Sequence, residues 1–190
     1  MSVDDLRKDL SIRGKNGIGF LMSASVIWSI ITVIFLLDLN INTQNIYLFF
    51  ATGIMFPLAL LFSKLINADW KIENNPLANL GLIMNIAQFS YFPLVFWAFA
   101  NEPSIMIMVF AVITAAHLYP YGWFYDAKAY YFLAPTLSVL VVLFNFVKFP
   151  LWSISSAMIV GLLTLISILF YNYKVKRMSE DEQSHQSISI

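Results

Sequence analysis

Cysteine is absent from the 190 residues, histidine occurs twice, and only 12% of the chain is Asp, Glu, Lys or Arg. The lack of cysteine excludes disulfides, thiolate metal sites and a cysteine nucleophile, and it leaves the redox compartment open. The shortage of charge says more. A soluble domain is about 25% charged and about 45–50% apolar, whereas 59% of this chain is hydrophobic. Its eleven basic residues only balance its eleven acidic ones, which argues against a nucleic-acid partner, since phosphate binding needs a basic excess on one surface. The Walker lysine loop, HExxH and GxSxG are also missing, so the motifs of nucleotide use and hydrolysis are not there. No cofactor and no metal is implied.

What is present is a succession of six apolar stretches: Gly17 to Asp38, Thr43 to Ile66, Leu77 to Phe99, Pro103 to Tyr119, Lys128 to Val147, and Leu151 to Tyr173. Charge enters them only at their ends, as Asp38, Lys64 and Lys128. About 20 residues at 1.5 Å each cross a hydrocarbon core of about 30 Å, and a helix is the open-ended way to satisfy the backbone there. The fold class expected is therefore all-α, an integral membrane bundle of six transmembrane helices over 17–173. A short amphipathic N-terminal arm, 1–16, precedes it, and a disordered cytoplasmic tail, 174–190, rich in Ser, Glu and Asp, follows. The fourth stretch is the shortest, so a tilted or re-entrant segment is the alternative there.

The positions of Lys and Arg give a direction to each helix. Arg7, Lys8, Arg13, Lys15, Lys64, Lys71, Lys128, Lys174, Lys176 and Arg177 all fall on one side of a six-span chain, and Lys148 alone falls on the other. The positive-inside rule then makes both termini cytoplasmic. Tryptophan agrees: Trp70 and Trp123 fall at the basic boundary and Trp97 and Trp152 at the opposite one, where amphipathic rings prefer to sit. Trp28 is the exception, near the middle of the first span.

The N-terminus does not read as a cleaved signal peptide, because Asp4, Asp5 and Asp9 are mixed with its bases and no small-residue cleavage site follows. Ser2 and Asp5 have capping-box spacing, and Val3, Leu6 and Leu10 recur on one helical face. The expectation is a short helix on the membrane surface, with a soluble partner as the other use of that face.

In the third span Gly81, Asn85, Gln88 and Phe92 share one face. Carboxamides there must bond to another helix, a water or a ligand, so Asn85 and Gln88 are either glue between helices or the wall of a polar pocket. Thr114 and His117 lie one turn apart in the fourth span; His117 is either a neutral hydrogen-bonding residue or a proton relay. After it, Tyr119-Pro120-Tyr121-Gly122-Trp123-Phe124-Tyr125-Asp126 forms an aromatic turn, an interfacial belt by default, in which Tyr121 and Asp126 are candidates for a cytoplasmic mouth. Ser25, Ser29 and Thr32 line one side of the first span beside Trp28, and Ser153, Ala157 and Gly161 have the small-residue spacing of close helix packing. Pro57, Pro93 and Pro135 predict kinks.

The segment Leu6-Arg7-Lys8-Asp9-Leu10-Ser11-Ile12-Arg13-Gly14-Lys15-Asn16-Gly17-Ile18-Gly19-Phe20-Leu21, followed by Ile27-Trp28, resembles a family of small bacterial multi-pass membrane proteins that carries only a domain-of-unknown-function label. The resemblance covers the first thirty residues or so and the overall hydropathy. It implies a bacterial plasma (inner) membrane, supplies no assigned activity, and offers no catalytic residues to carry over.

The absence of a central Asp, Glu, Lys or Arg in any span disfavours ion-coupled pumps. The reading that remains is a polytopic protein that binds, senses or transports a small, mostly uncharged solute. Its pocket would be lined by Trp28, Asn85, Gln88, Thr114 and His117. The first alternative is a non-transporting subunit or scaffold that binds a protein partner. The second is a membrane-embedded enzyme using His117, for which no nucleophile is evident. The partners expected are the lipid bilayer, a small-molecule ligand, and a second copy of the chain in a homo-oligomer.

Overall fold

The structure is a computed structural model that describes the backbone of residues 2–188 and side chains as far as Lys174. The described backbone contains helices and turns and no strand. In chain order the helices are α1 (Val3–Arg13), α2 (Ile18–Leu36), α3 (Ile41–Thr52), α4 (Met55–Leu65), α5 (Ala78–Phe89), α6 (Phe92–Asn101), α7 (Met106–Ala116), α8 (Tyr121–Phe124), α9 (Lys128–Phe146) and α10 (Leu151–Ile188). Short 3-10 turns at Lys15–Gly17 and Pro103–Ile105 lead into α2 and α7.

Among the described residues five helical stretches are long and apolar enough to cross a membrane: Lys15–Leu36, Ala78–Asn101, Pro103–Phe124, Lys128–Phe146 and Leu151–Lys174. A sixth is made if α3 and α4, bent by 43° where they meet, count as one span. The all-α bundle therefore agrees with the sequence expectation, and the fourth span is longer than hydropathy suggested. The prolines explain the breaks. Pro57 and Pro93 do not kink continuous helices; each sits in the first turn of a new one, α4 and α6, where a missing N–H leaves no partner unmet. Pro135 lies inside α9, which continues past it.

Helix α2 is the hub, packed against α10, α4 and α3, while α9 packs on α7 and α10. The core so formed is filled by Trp28, Ile31, Ile107, Leu137, Met158 and Leu162. Lipid supplies little drive for apolar groups to associate, so close approach and hydrogen bonds hold such a bundle. Gly19 and Gly161 provide the approach. A β-carbon on Gly19 would lie 2.4 Å from Ser63 Oγ of α4, and one on Gly161 would lie 2.3 Å from Leu137 Cδ2 of α9. The serine and threonine row of α2 is mostly spent on its own helix. Ser25 and Ser29 donate to the carbonyls of Leu21 and Ser25, while Thr32 Oγ1 lies 2.9 Å from both Trp28 O and Ser155 Oγ of α10. Trp70, Trp97, Trp123 and Trp152 are exposed, whereas Trp28 is buried.

The start of α2, the connection from α4 to α5, the turn from α7 to α9 and residue Tyr173 of α10 all meet at one end of the bundle. This is the basic end. The tail expected to be disordered, 174–190, falls mostly outside the residues whose side chains are described, although the backbone is helical as far as Ile188.

Candidate functional site

The residues expected to line a pocket are each held, for the most part, by their own helix. The Thr114 hydroxyl donates to Phe110 O at 2.9 Å, and His117 Nδ1 lies 2.6 Å from Thr114 O at the end of α7. Asn85 Nδ2 donates to Gly81 O at 3.1 Å, one turn back on α5. Trp28 is buried against the ring of Phe110, with centroids 5.7 Å apart. Among the described residues Gln88, half-buried on α5, and the buried Trp28 indole make no side-chain hydrogen bond. Tyr121 reaches across instead: its hydroxyl donates to Gly81 O at 3.2 Å, and its ring meets His117 edge-on at 6.1 Å. The arrangement thus brings Thr114, His117 and Tyr121 into a line that ends at the first turn of α5. Trp28 lies deeper in the core, and Asp126 lies at the surface.

Two openings mark the flank of the bundle. One, of about 530 Å³, is lined by Ile46, Phe49, Phe50, Phe96 and Phe99. The other, of about 310 Å³, is lined by Val112, Ser138, Val139, Val142, Leu143 and Phe146. Both are apolar grooves, and neither is lined by any of the seven candidate residues. Among the described residues no three of His, Asp and Glu gather closely enough to hold a metal ion.

The most elaborate polar construction among the described residues is at the basic end, and it takes in Asp126. Helix α1 begins with a capping box in which Ser2 and Asp5 bond each other's backbone N–H. The Ser2 N–H and hydroxyl hold the Asp5 carboxyl below its ordinary range. The helix is amphipathic as expected, but part of its apolar face is covered by its own chain, with Leu10 fully buried and Leu6 half-buried. Arg7 ties it to the aromatic turn: Nε donates to Trp123 O at 2.6 Å, Nη2 to Asp126 Oδ1 at 3.1 Å, and the guanidinium stands 5.0 Å from the Trp123 ring centroid. Arg13 ties it to the α4–α5 connection through Asp69 Oδ2 at 2.6 Å and Glu73 O at 3.1 Å, while Asp69 N–H donates back to Arg13 O. Asn75, buried, donates to Leu6 O and to Asp9 Oδ2. Lys15 donates to Ile66 O.

Beneath α1 lies a nest of rings, in which Tyr125 stacks on Tyr121 and Tyr130 at 5.9 and 6.3 Å. The Tyr130 hydroxyl donates to Asn16 O, and Asn16 Oδ1 accepts from Ser11. Burial pushes the Tyr125 phenol above its ordinary range, so it stays protonated. Gly17, at φ +75°, leaves room for this ring, since a β-carbon there would lie 2.9 Å from Tyr125 Cε2.

Among the described residues seven non-glycine positions have positive φ, and six of them, Lys15, Asn16, Asn67, Ile72, Asn74 and Asp126, belong to this end. Asn and Asp tolerate the left-handed region. A buried, β-branched Ile72 at φ +43° does not. Such conformations cost on the order of 1–3 kcal/mol each and persist only where the surroundings over-determine them. Here the surroundings are α1: Ile72 packs on Gly14, and Asp126 accepts from Arg7. Sequence reasoning named the Ser2 and Asp5 capping box, the Leu6 and Leu10 face and the aromatic turn with Tyr121 and Asp126, and missed the ties that Arg7, Arg13, Asn16 and Asn75 make. The signals it could have used are the Asn16-Gly17 pair and the Asn67, Asn74, Asn75 and Asp126 positions, residues that favour turns with positive φ.

Fold and composition define an all-α bundle of five or six helices of membrane-crossing length, capped at one end by its own N-terminal helix. Within that class the chain belongs to a family of unknown function, DUF7010, whose model matches residues 3–172. The match takes in α1 and the cap as well as the spans. Comparisons with curated proteins and with solved structures find no match.

Proposed function

We propose that the chain is a non-transporting membrane subunit that pairs, through its third span, with another transmembrane helix. The observation that carries this reading is the condition of α5. Its close contacts with other helices are few, chiefly Tyr121 and Phe124 of α8 at Gly81, none of its residues is buried, and among the described residues Asn85 Oδ1 and the whole Gln88 carboxamide have no hydrogen-bond partner. Lipid cannot satisfy a carboxamide, whereas a neighbouring helix can. Less supports a solute pocket, because Thr114, His117 and Asn85 bond within their own helices and border neither groove. The ten-to-one placement of basic residues supports a cytoplasmic position for both termini, and with the resemblance of the opening segment it supports a bacterial plasma membrane.

The test is association in bilayers, measured by energy transfer between labelled copies and by recovery of a stoichiometric partner from native membranes. Each interhelical hydrogen bond contributes about 0.6 kcal/mol or somewhat more, so replacing both carboxamides (N85L with Q88L) weakens pairing on the order of tenfold while unfolding stays unchanged. Association that is the same in the wild type and the double variant would overturn the reading.

A further inference from the structure

We propose that α1 is a latch with two docking partners: the acidic groups of the cap when closed, and the phosphates of an anionic bilayer surface when open. Three independent observations converge on it. Beside the buried contacts of Leu10 and Asn75, α1 is held by two ion pairs whose acidic members are near water: Arg7 pairs with an Asp126 side chain that is 60% exposed, and Arg13 with an Asp69 that is 40% exposed. Such pairs are readily exchanged for other anions.

The receiving side is strained at Ile72, which holds positive φ where Gly14 docks, while Asp126 and Asn74, residue types that tolerate that region, hold positive φ where Arg7 docks and beside the Glu73 carbonyl and Asn75 that grip Arg13 and Leu6. Docking and strain sustain each other, so undocking α1 lets segments 66–77 and 119–127 relax with it, and the three behave as one two-state element. The alternative docking surface lies alongside: Trp70 and Trp123, exposed on those same two segments, place them at the membrane interface, within reach of lipid headgroups. Helix α1 carries the groups such a surface binds, with Arg7, Lys8 and Arg13 beside Val3, Leu6 and Leu10. Release would uncover the rings of Tyr125 and Tyr130 and the buried Asn16.

The full chain is placed in nanodiscs of phosphatidylcholine alone or mixed with phosphatidylglycerol, and backbone hydrogen exchange is followed by segment. The expected result is that α1, 66–77 and 119–127 exchange about tenfold faster together in the anionic discs, while α7 and α9 do not change. Asp126→Asn removes the charge with which the cap pairs Arg7, leaves the pair Arg7 makes with Asp4 of its own helix, and keeps a residue suited to positive φ; it produces the same joint acceleration in phosphatidylcholine alone. Exchange that is indifferent to phosphatidylglycerol overturns the proposal. So does acceleration of one segment without the other two, which makes them independent loops, or acceleration of α7 and α9 as well, which makes α1 a general stabiliser.

Discussion

The first and third spans are nearly equal in length and lie in the same bundle, yet 61% of the first span's most apolar stretch is buried against 11% of the third's. The third span is also less apolar, with a mean hydropathy of 1.4 against 2.2, yet both are apolar enough to cross a membrane, so apolarity alone does not account for the difference in burial. Small residues and polar groups do. The first span carries Gly19, Ser23, Ser25 and Thr32 on the sides that meet α4 and α10, and it gains close approach and one hydroxyl link to α10 in return. The third span presents Leu82, Ile83, Ile86 and Phe89 outward, and its Asn85 and Gln88 are half-buried with no tie to another helix among the described residues. A span that is fully used inside the chain and one that is hardly used at all have different dependents, and substitution should separate them.

Trp28→Ala tests the difference most severely. It empties a buried site against Phe110 and should cost about 3–5 kcal/mol, the range for large aromatic truncations, whereas Phe89→Ala on α5 should stay within about 0.5 kcal/mol, as surface changes do. Reversible unfolding in lipid bicelles measures both; equal losses would erase the distinction between the spans. The glycines form a second pair. Gly19→Ala sets a methyl against the Ser63 backbone N at 2.9 Å as well as its hydroxyl. Backbone cannot step aside, so α2 and α4 must separate at about 1–3 kcal/mol. Gly81→Ala meets only the far edge of the Phe124 ring, at 3.0 Å, which can turn, and the loss should be below about 1 kcal/mol.

The spans themselves were legible because a run of apolar residues free of charge has one stable solution in lipid, and the bias of Lys and Arg correctly grouped Arg13, Lys15, Lys71 and Lys174 at one end. Pro57 and Pro93 marked real breaks, though not their form: hydropathy does not distinguish a kink within a helix from the start of a new one. The site was harder to see. Asn85, Thr114 and His117 were recognised as polar groups needing partners, but one turn of the same helix can supply a carbonyl as readily as a neighbour can, and spacing alone does not choose. The cap was illegible for a different reason. Its ties join Arg7 to residues 116 and 119 positions away and Arg13 to one 56 away, and no local pattern reports such pairing.

The connection 66–77, which leads into the weakly held third span, depends on Asp69, and this gives the mildest and most selective prediction. Burial works to raise the Asp69 carboxyl, but the Ile72 N–H, the Arg13 side chain and the Lys71 N–H outweigh it, so its pKa lies below the ordinary 3.8. A carboxylate with a depressed folded pKa contributes stability that is present above its unfolded value, near pH 4, and lost as pH falls through the folded one. With the side chain 40% exposed, solvent screening limits that contribution to less than about 1 kcal/mol. Acidification below about pH 4 should therefore loosen 66–77 and the first turn of α5 while α2 stays in place. The absence of cysteine makes this simple to follow, with one spin label at K71C and another at V33C on the exposed side of α2. Label mobility should rise in acid at the first position alone. Asp5, whose pKa is also lowered, protonates in the same window, so Asp69→Asn is the deciding control: it should leave the label at position 71 mobile at neutral pH and insensitive to acid. A variant that retains the wild-type acid response would assign the effect to Asp5, and would detach the start of the third span from the Arg13 tie.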